Sequence, residues 1–363
     1  MKPYKVIISG GGTGGHIYPA IAIADELKSR NKATDILFVG AKDRMEMQKV
    51  PEAGYPIKGL WIAGLQRKIT IDNLLLPFKL LKSFRECKKI LKEFNPDVVI
   101  GTGGYASAPL VRVASKMGIP CVIQEQNSYA GVTNKLLSKS VEKICVAFEG
   151  MEQFFPASKI VLTGNPVRQY IATTSINQAK ARESFGLQTD KKTLLVLGGS
   201  LGAKKINELI HNNLELFDEL DLQILWQCGQ YYIETYKDLT SDKVRVQAFI
   251  SDMQAAYAAA DVIISRAGAL SIAELCLVGK SSVFIPSPNV AEDHQTKNAQ
   301  AIVNHEAAML IKESEIETTF VSRFVKLMQD DAMQKRFADN IKELAKPKAT
   351  ETIVDVVEEL IKA

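Results

Sequence analysis

Residues 4–20, Tyr-Lys-Val-Ile-Ile-Ser-Gly-Gly-Gly-Thr-Gly-Gly-His-Ile-Tyr-Pro-Ala, limit what this chain can fold into more than any other stretch. Val6, Ile7 and Ile8 make the short apolar run of a buried parallel strand. Gly10, Gly11, Gly12, Gly14 and Gly15 follow around Thr13, and an Ala-rich apolar helix resumes through Ile21, Ile23, Ala24 and Leu27. A tight turn uses one or two glycines; this loop has five. Strand, glycine loop and helix bring bare backbone N–H groups and a helix N-terminus up to an anion, as α/β proteins do. His16 stands at the mouth of the loop and is the only histidine in the first two hundred residues. It places a titratable group beside a bound phosphate or sugar.

Gly10, Gly12 and Gly15 also satisfy G-x-G-x-x-G, the dinucleotide pattern. That pattern needs an acidic residue ending the next strand, to hold the ribose hydroxyls. The next strand, Ile36–Val39, ends in Gly40-Ala41, with Asp43 beyond it. The loop therefore reads as a phosphate or sugar site rather than a nicotinamide one.

A chain of 363 residues exceeds one ordinary core and predicts two domains. Hydrophobic content of 46% with 24% charged residues describes a folded protein, and a net charge of +4 is too small to imply nucleic-acid binding. Cys87, Cys121, Cys145, Cys228 and Cys276 are scattered without a C-x-x-C pair, which fits reduced cytoplasmic thiols. The N-terminus runs straight into a strand, so no signal peptide is expected. No window approaches about 20 uninterrupted apolar residues, so no membrane span is expected either.

Residues 61–92 change character. On a helix, Leu76, Leu80, Phe84, Cys87 and Leu91 share one face, which is assigned to the core. Leu74, Leu75, Phe78 and Leu81 lie away from it, and the outer side then turns basic with Arg85, Lys88 and Lys92. Apolar groups running into cations suit an anionic membrane surface, unless another segment covers them.

Further on, Asp97–Ile100 leads into Gly101-Thr-Gly-Gly-Tyr105, and Cys121–Ile123 leads into Gln124-Glu125-Gln126-Asn127. In a parallel sheet these strand tips share a rim with Gly10–His16. Gly164–Arg168 reads as a hinge. The grammar then restarts: Leu194–Leu197 breaks into Gly198-Gly-Ser200-Leu-Gly-Ala203, and Asp261-Val-Ile-Ile-Ser-Arg-Ala-Gly268 echoes Asp97–Gly104. The fold expected is α/β, two doubly wound Rossmann-like domains facing across a cleft. The division expected is 1–164, 165–345, and a terminal helix over 346–363, capped by Thr350, that crosses back to the first domain.

The motifs Gly-Gly-Gly-Thr-Gly-Gly-His16, Gly-Thr-Gly-Gly-Tyr105, Glu-Gln-Asn127, Gly-Asn-Pro-Val-Arg168, Gly-Gly-Ser200-Leu-Gly-Ala and Ser-Arg-Ala-Gly-Ala-Leu-Ser-Ile-Ala-Glu274 run in order along nearly the whole chain. In these the chain resembles the MurG family, UDP-N-acetylglucosamine transferases of GT-B architecture that convert lipid I to lipid II in peptidoglycan synthesis. The resemblance implies an acceptor and membrane-associating N-terminal domain, a UDP-sugar-binding C-terminal domain, and peripheral attachment to the cytoplasmic side of the cell membrane. It also implies partners among cell-wall synthesis and division proteins, and no cofactor. Gln124 stands where many members carry histidine, and His294 where many carry glutamine.

Inverting glycosyl transfer needs a base for the acceptor hydroxyl and neutralisation of the departing diphosphate. Ser200 and the Gly198–Ala203 N–H groups suit the diphosphate, and neither glycine loop carries a carboxylate pair with metal-ligand spacing. His16 and then Glu125 are the candidate bases, since an imidazole titrates near pH 6.5; the alternative for His16 is to orient the acceptor pyrophosphate. Thr13, Gly14, Gly15 and Tyr105 are acceptor-side contacts. By resemblance, Glu274 takes the ribose, Ile250 meets uracil through its backbone, and Asn127 and Gln295 meet the N-acetylglucosamine. Ala269, Leu270 and Ser271 belong to the same nucleotide-sugar site. Ser271-x-x-Glu274 is alternatively a capping box. Arg168 reaches a phosphate or the uracil, or else forms an interdomain salt bridge. A UDP-sugar 2-epimerase and a non-catalytic nucleotide-sugar sensor are the competing functions.

Overall fold

The computed structural model describes residues 3–62, 76–167 and 176–362, with the backbone alone over 76–79. The chain divides into two compact units, Met1–Val167 with Lys348–Ala363, and Arg168–Pro347. The first carries a seven-stranded sheet in the order β3-β2-β1-β4-β5-β6-β7. Its strands are β1 (Lys5–Gly10), β2 (Asp35–Ala41), β3 (Ile57–Leu60), β4 (Val98–Gly103), β5 (Cys121–Glu125), β6 (Lys143–Val146) and β7 (Ile160–Leu162). Every pairing is parallel.

The apolar runs of the inner strands β1, β2, β4 and β5 are continuous because both faces are covered. Ile7 and Val99 point into one core with Cys87, Leu91, Leu110 and Val111. The last four come from α3 (Leu76–Phe94) and α4 (Ser107–Lys116), which lie beyond α1 (Gly14–Arg30) and α2 (Glu46–Glu52) in the chain. Val6, Ile8, Val98 and Ile100 point the other way, onto Ile17, Ile23 and Leu27 of α1.

The second unit repeats the winding. Its order is β10-β9-β8-β11-β12-β13, again all parallel. The strands are β8 (Thr193–Leu197), β9 (Gln223–Gln227), β10 (Val244–Gln247), β11 (Val262–Ser265), β12 (Ser281–Phe284) and β13 (Met309–Leu310). The helices that matter for the site are α5 (Lys204–Asn212), α6 (Ala269–Val278) and α7 (His294–Val303). In each sheet the strand order reverses beside the first strand, and the glycine loop leaves that strand at the switch point.

The last helix, α8 (Ala349–Lys362), packs on α1 of the first unit. Ile353, Val354 and Val357 enter the core beside Ile17 and Leu27. Arg30 closes the contact, with Nη1 2.6 Å from Asp355 and Nη2 donating to the Glu351 carbonyl at 3.0 Å.

Two local expectations are corrected. Thr350 lies inside α8, which begins one residue earlier, so it is not the cap. Phe84 is exposed, because the buried stripe of α3 runs through Ser83, Cys87, Ile90 and Leu91. Ser83 is small enough to bring the helix close, and its hydroxyl donates to the Trp61 carbonyl at 3.3 Å. Leu81 is exposed, as expected, and so are Arg85 and Lys88. Leu74 and Leu75 lie outside the described residues, as do the side chains of Leu76 and Phe78.

Candidate functional site

In the first unit, the loop after β1 crosses the tip of β4. Gly11 N–H donates to the Gly103 carbonyl at 3.3 Å. A Cβ built on Gly103 would fall 2.8 Å from the His16 ring, and one on Gly104 would fall 2.3 Å from the Gly11 carbonyl oxygen. Both have φ near +90°, at +102° and +87°, where a side chain is strained. The two glycine motifs therefore interlock, and His16 lies against the second. Thr13 is the N-cap of α1 but its side chain caps nothing. The helix opens with Gly14 and Gly15 and has no acidic residue in its first turn, so its positive end is free for an anion.

His16 Nδ1 lies 3.0 Å from the Gly11 carbonyl oxygen and 3.4 Å from Thr13 Oγ1. A carbonyl only accepts, so the shorter bond puts the proton on Nδ1 and leaves Nε2 as the basic nitrogen. Thr102 Oγ1 donates to the His16 carbonyl at 2.8 Å and fixes the backbone beneath the ring. Tyr105, in the turn after β4, is exposed.

Glu125, at the end of β5, is buried and heavily engaged. Oε1 accepts from Asn127 N at 3.1 Å and Asn127 Nδ2 at 3.2 Å. Oε2 accepts from Gly131 N at 2.9 Å and Asn134 Nδ2 at 2.8 Å. The carboxylate organises the loop that presents Asn127. Gln124 is fully buried, with its amide on Asn165 at 2.9 Å, and is a packing residue of the 164–167 segment.

In the second unit the candidates gather at the ends of β8 to β12. Ser200 is exposed in the loop before α5, whose N-cap Ala203 supplies no side-chain cap. Gly202 packs on Gly229 so closely that a Cβ on Gly229 would fall 2.1 Å from it. Ala269, Leu270 and Ser271 form the first turn of α6, again without a side-chain cap. The N-cap is Gly268, so Ser271 is the third helical residue and the capping-box alternative is corrected. Glu274, one turn further on, accepts from the Tyr257 hydroxyl at 3.0 Å. Ile250 is buried and its N–H is already donated to Gln227 Oε1 at 2.9 Å. Gln295, at the start of α7, accepts from Ser287 N at 2.9 Å. Arg168 lies outside the described residues.

Sequence reasoning missed several residues that shape these rims. Glu46, fully buried, accepts from Gly12 N and Ala41 N, each at 2.9 Å. Gln227 and Tyr257 hold Ile250 and Glu274. Arg266 pairs with Glu313 at 2.5 Å and donates to the Ile285 carbonyl at 2.9 Å, tying the end of β11 to β12. Among the described residues no group of three His, Cys, Asp or Glu side chains is placed to hold a metal ion. No described helix is long and apolar enough to cross a membrane.

Comparison with known proteins gives one consistent picture. Residues 6–146 match the glycosyltransferase family 28 N-terminal domain, and residues 193–353 match the family's C-terminal domain. The chain is 57% identical over its full length to the UDP-N-acetylglucosamine–N-acetylmuramyl-(pentapeptide) pyrophosphoryl-undecaprenol N-acetylglucosamine transferase of Flavobacterium psychrophilum, covering 99% of that protein. It is 57% identical to the enzyme of the same name from Christiangramia forsetii, over 98% of each chain. Among solved structures, Acinetobacter baumannii MurG aligns with a TM-score of 0.83 and 32% identity, covering 98% of this chain and all of that one.

Proposed function

The chain belongs to glycosyltransferase family 28, and from that premise we propose that it moves N-acetylglucosamine from its UDP donor to the muramyl sugar of undecaprenyl-pyrophosphoryl-N-acetylmuramyl-pentapeptide, turning lipid I into lipid II. One observation carries the reading. Full-length similarity to enzymes named for this reaction coincides with two glycine loops, each opening onto an uncapped helix N-terminus at the switch point of its own sheet.

The first unit takes the acceptor and the second the nucleotide sugar. The acceptor hydroxyl attacks the anomeric carbon, the bond from that carbon to the diphosphate oxygen breaks, and the electron pair leaves with UDP. His16 Nε2 takes the hydroxyl proton, while Thr13, Gly14, Gly15 and Tyr105 hold the acceptor pyrophosphate and sugar. Support for His16 over Glu125 comes from hydrogen bonding. Both Glu125 oxygens already accept from two N–H groups each, whereas His16 Nε2 is left basic by its Nδ1 bond.

On the donor side, Ser200 and the N-terminus of α5 neutralise the departing diphosphate. Glu274 accepts from the ribose hydroxyls. The Ile250 carbonyl meets uracil, since its N–H is spent on Gln227. Ala269, Leu270 and Ser271 line the nucleotide beside the N-terminus of α6, Arg168 reaches its phosphate or base, and Asn127 and Gln295 contact the transferred sugar. Attachment to the membrane is peripheral. It uses exposed Leu81 and Phe84 of α3 beside Lys82, Arg85, Lys88 and Lys89, a face suited to anionic lipid.

The test is transfer of labelled N-acetylglucosamine from UDP to a short-chain lipid I analogue. Product that forms only with acceptor, one UDP released per sugar moved, is the expected result. Conversion of the UDP sugar to its 2-epimer without acceptor would overturn the reading in favour of an isomerase.

A further inference from the structure

We propose that Glu46 is a positioning residue that sets the tautomer and basicity of His16 through the peptide group joining Gly11 and Gly12. Glu46 opens α2, is fully buried, and forms no ion pair among the described residues. Burying a lone carboxylate is costly unless its oxygens are hydrogen-bonded. Here Oε1 accepts from Ala41 N–H, at the end of β2, and Oε2 from Gly12 N–H, both at 2.9 Å.

The surroundings are built to admit this side chain. A Cβ on Gly11 would fall 2.1 Å from Glu46 Oε1, and one on Gly40 would fall 2.5 Å from Glu46 Cγ. Two glycines whose absent side chains make room for one carboxylate mark a designed contact. It also bears on the dinucleotide pattern, because the chain's own carboxylate has already claimed a loop N–H that a bound phosphate would use.

The consequence lies in the connectivity. Gly12 N–H and the Gly11 carbonyl belong to one peptide unit, and that carbonyl accepts from His16 Nδ1 at 3.0 Å. A carboxylate accepting the N–H draws electron density towards the carbonyl oxygen, and hydrogen bonds in such a chain strengthen one another. The better acceptor holds the proton on Nδ1 and makes Nε2 the stronger base. Carboxylate, peptide and imidazole form a relay with the logic of the carboxylate–histidine pair of hydrolases, with an amide inserted. The competing arrangement has Thr13 Oγ1, 3.4 Å away, donate to Nδ1, which would move the proton to Nε2 and disable it as a base.

Titratable groups on the neighbouring elements include Tyr18, Asp25, Glu26, Lys28 and Arg30 on α1, Asp35 on β2, Lys42, Asp43 and Arg44 before α2, Lys49 and Glu52 on α2, Tyr105 after β4 and Glu125 ending β5. Among the described residues none of these hydrogen-bonds or ion-pairs the imidazole, whose ring bonds are those to Gly11 and Thr13.

The relay rests on His16 as the base of the proposed transfer, but its first readout, the tautomer, needs no turnover. Nitrogen-15 labelling of histidine reports only four residues, His16, His211, His294 and His305. The His16 signals are identified by their loss in His16→Asn. In the unmodified protein the neutral ring is expected to be the Nδ1–H tautomer; a predominant Nε2–H tautomer would overturn the relay without any variant at position 46. In folded Glu46→Gln, the tautomers should mix, the acid limb of the kcat/KM profile should move to lower pH, and kcat should fall about tenfold with UDP affinity unchanged. A folded Glu46→Gln with the wild-type tautomer and pH profile would equally overturn it. Absence of any transfer by a protein that keeps the Nδ1–H tautomer would count against the function and not the relay.

Discussion

His16 and Glu125 are both bases by residue type, and only their partners separate them. Glu125 spends its oxygens on Gly131, Asn134 and Asn127, so Glu125→Gln sets an amide N–H against a backbone or side-chain donor. Stability should drop by about 1–3 kcal/mol in urea unfolding, and the pH profile of the remaining activity should keep its shape. A lost acid limb would return Glu125 to the role of base. His16 was legible in the sequence because it is isolated in a glycine loop. Glu46 was not, since it lies thirty-four residues from Gly12 and nothing in a helix pattern says that its first side chain folds back under another loop. Ile250 lies three residues beyond the end of β10, and the internal use of its N–H by Gln227, at the end of β9, depends on a neighbour distant in sequence that no local pattern reveals.

Among the elements, the strands and their glycine loops were readable because parallel strands buried on both faces are continuous apolar runs. The face of α3 was harder. Leu80, Phe84, Cys87 and Leu91 fit one helical stripe, yet the small Ser83 draws the helix inward and turns Phe84 out. That outward face gives a prediction: Leu81→Glu with Phe84→Glu should weaken binding to phosphatidylglycerol vesicles by about tenfold or more, while UDP affinity stays unchanged. Equal vesicle binding would remove α3 from the membrane contact. The interlocked loops give another. Gly104→Ala must enter a left-handed backbone against the Gly11 carbonyl, so it should cost about 1–2 kcal/mol or more and depress transfer with little effect on UDP binding. In α8, Ile353→Ala should destabilise the first unit by about 2–5 kcal/mol, read by urea unfolding.

Across the whole molecule, one winding is used twice, and the sequence announced it through the echo of Asp97–Gly104 in Asp261–Gly268. The five cysteines are all buried. Burial pushes the thiols of Cys87, Cys145 and Cys276 up to about 12, and raises those of Cys121 and Cys228 as well. Raised thiols favour the folded state fully below the unfolded value of about 8.5, and that contribution is lost as pH rises above it. Stability should therefore decline from about pH 8.5 upward, and thiol reagents should label the native protein slowly at neutral pH and the unfolded chain fully. The most direct measurement is the initial rate of N-acetylglucosamine transfer to a lipid I analogue by wild type and His16→Ala, with UDP affinity measured calorimetrically on the same samples. The expected result is vigorous transfer by the wild type, a loss of about a hundredfold or more in the variant, and the same UDP affinity in both. Wild-type rates in His16→Ala would contradict the assignment of the base, and a folded, UDP-binding wild type that transfers nothing would contradict the function itself.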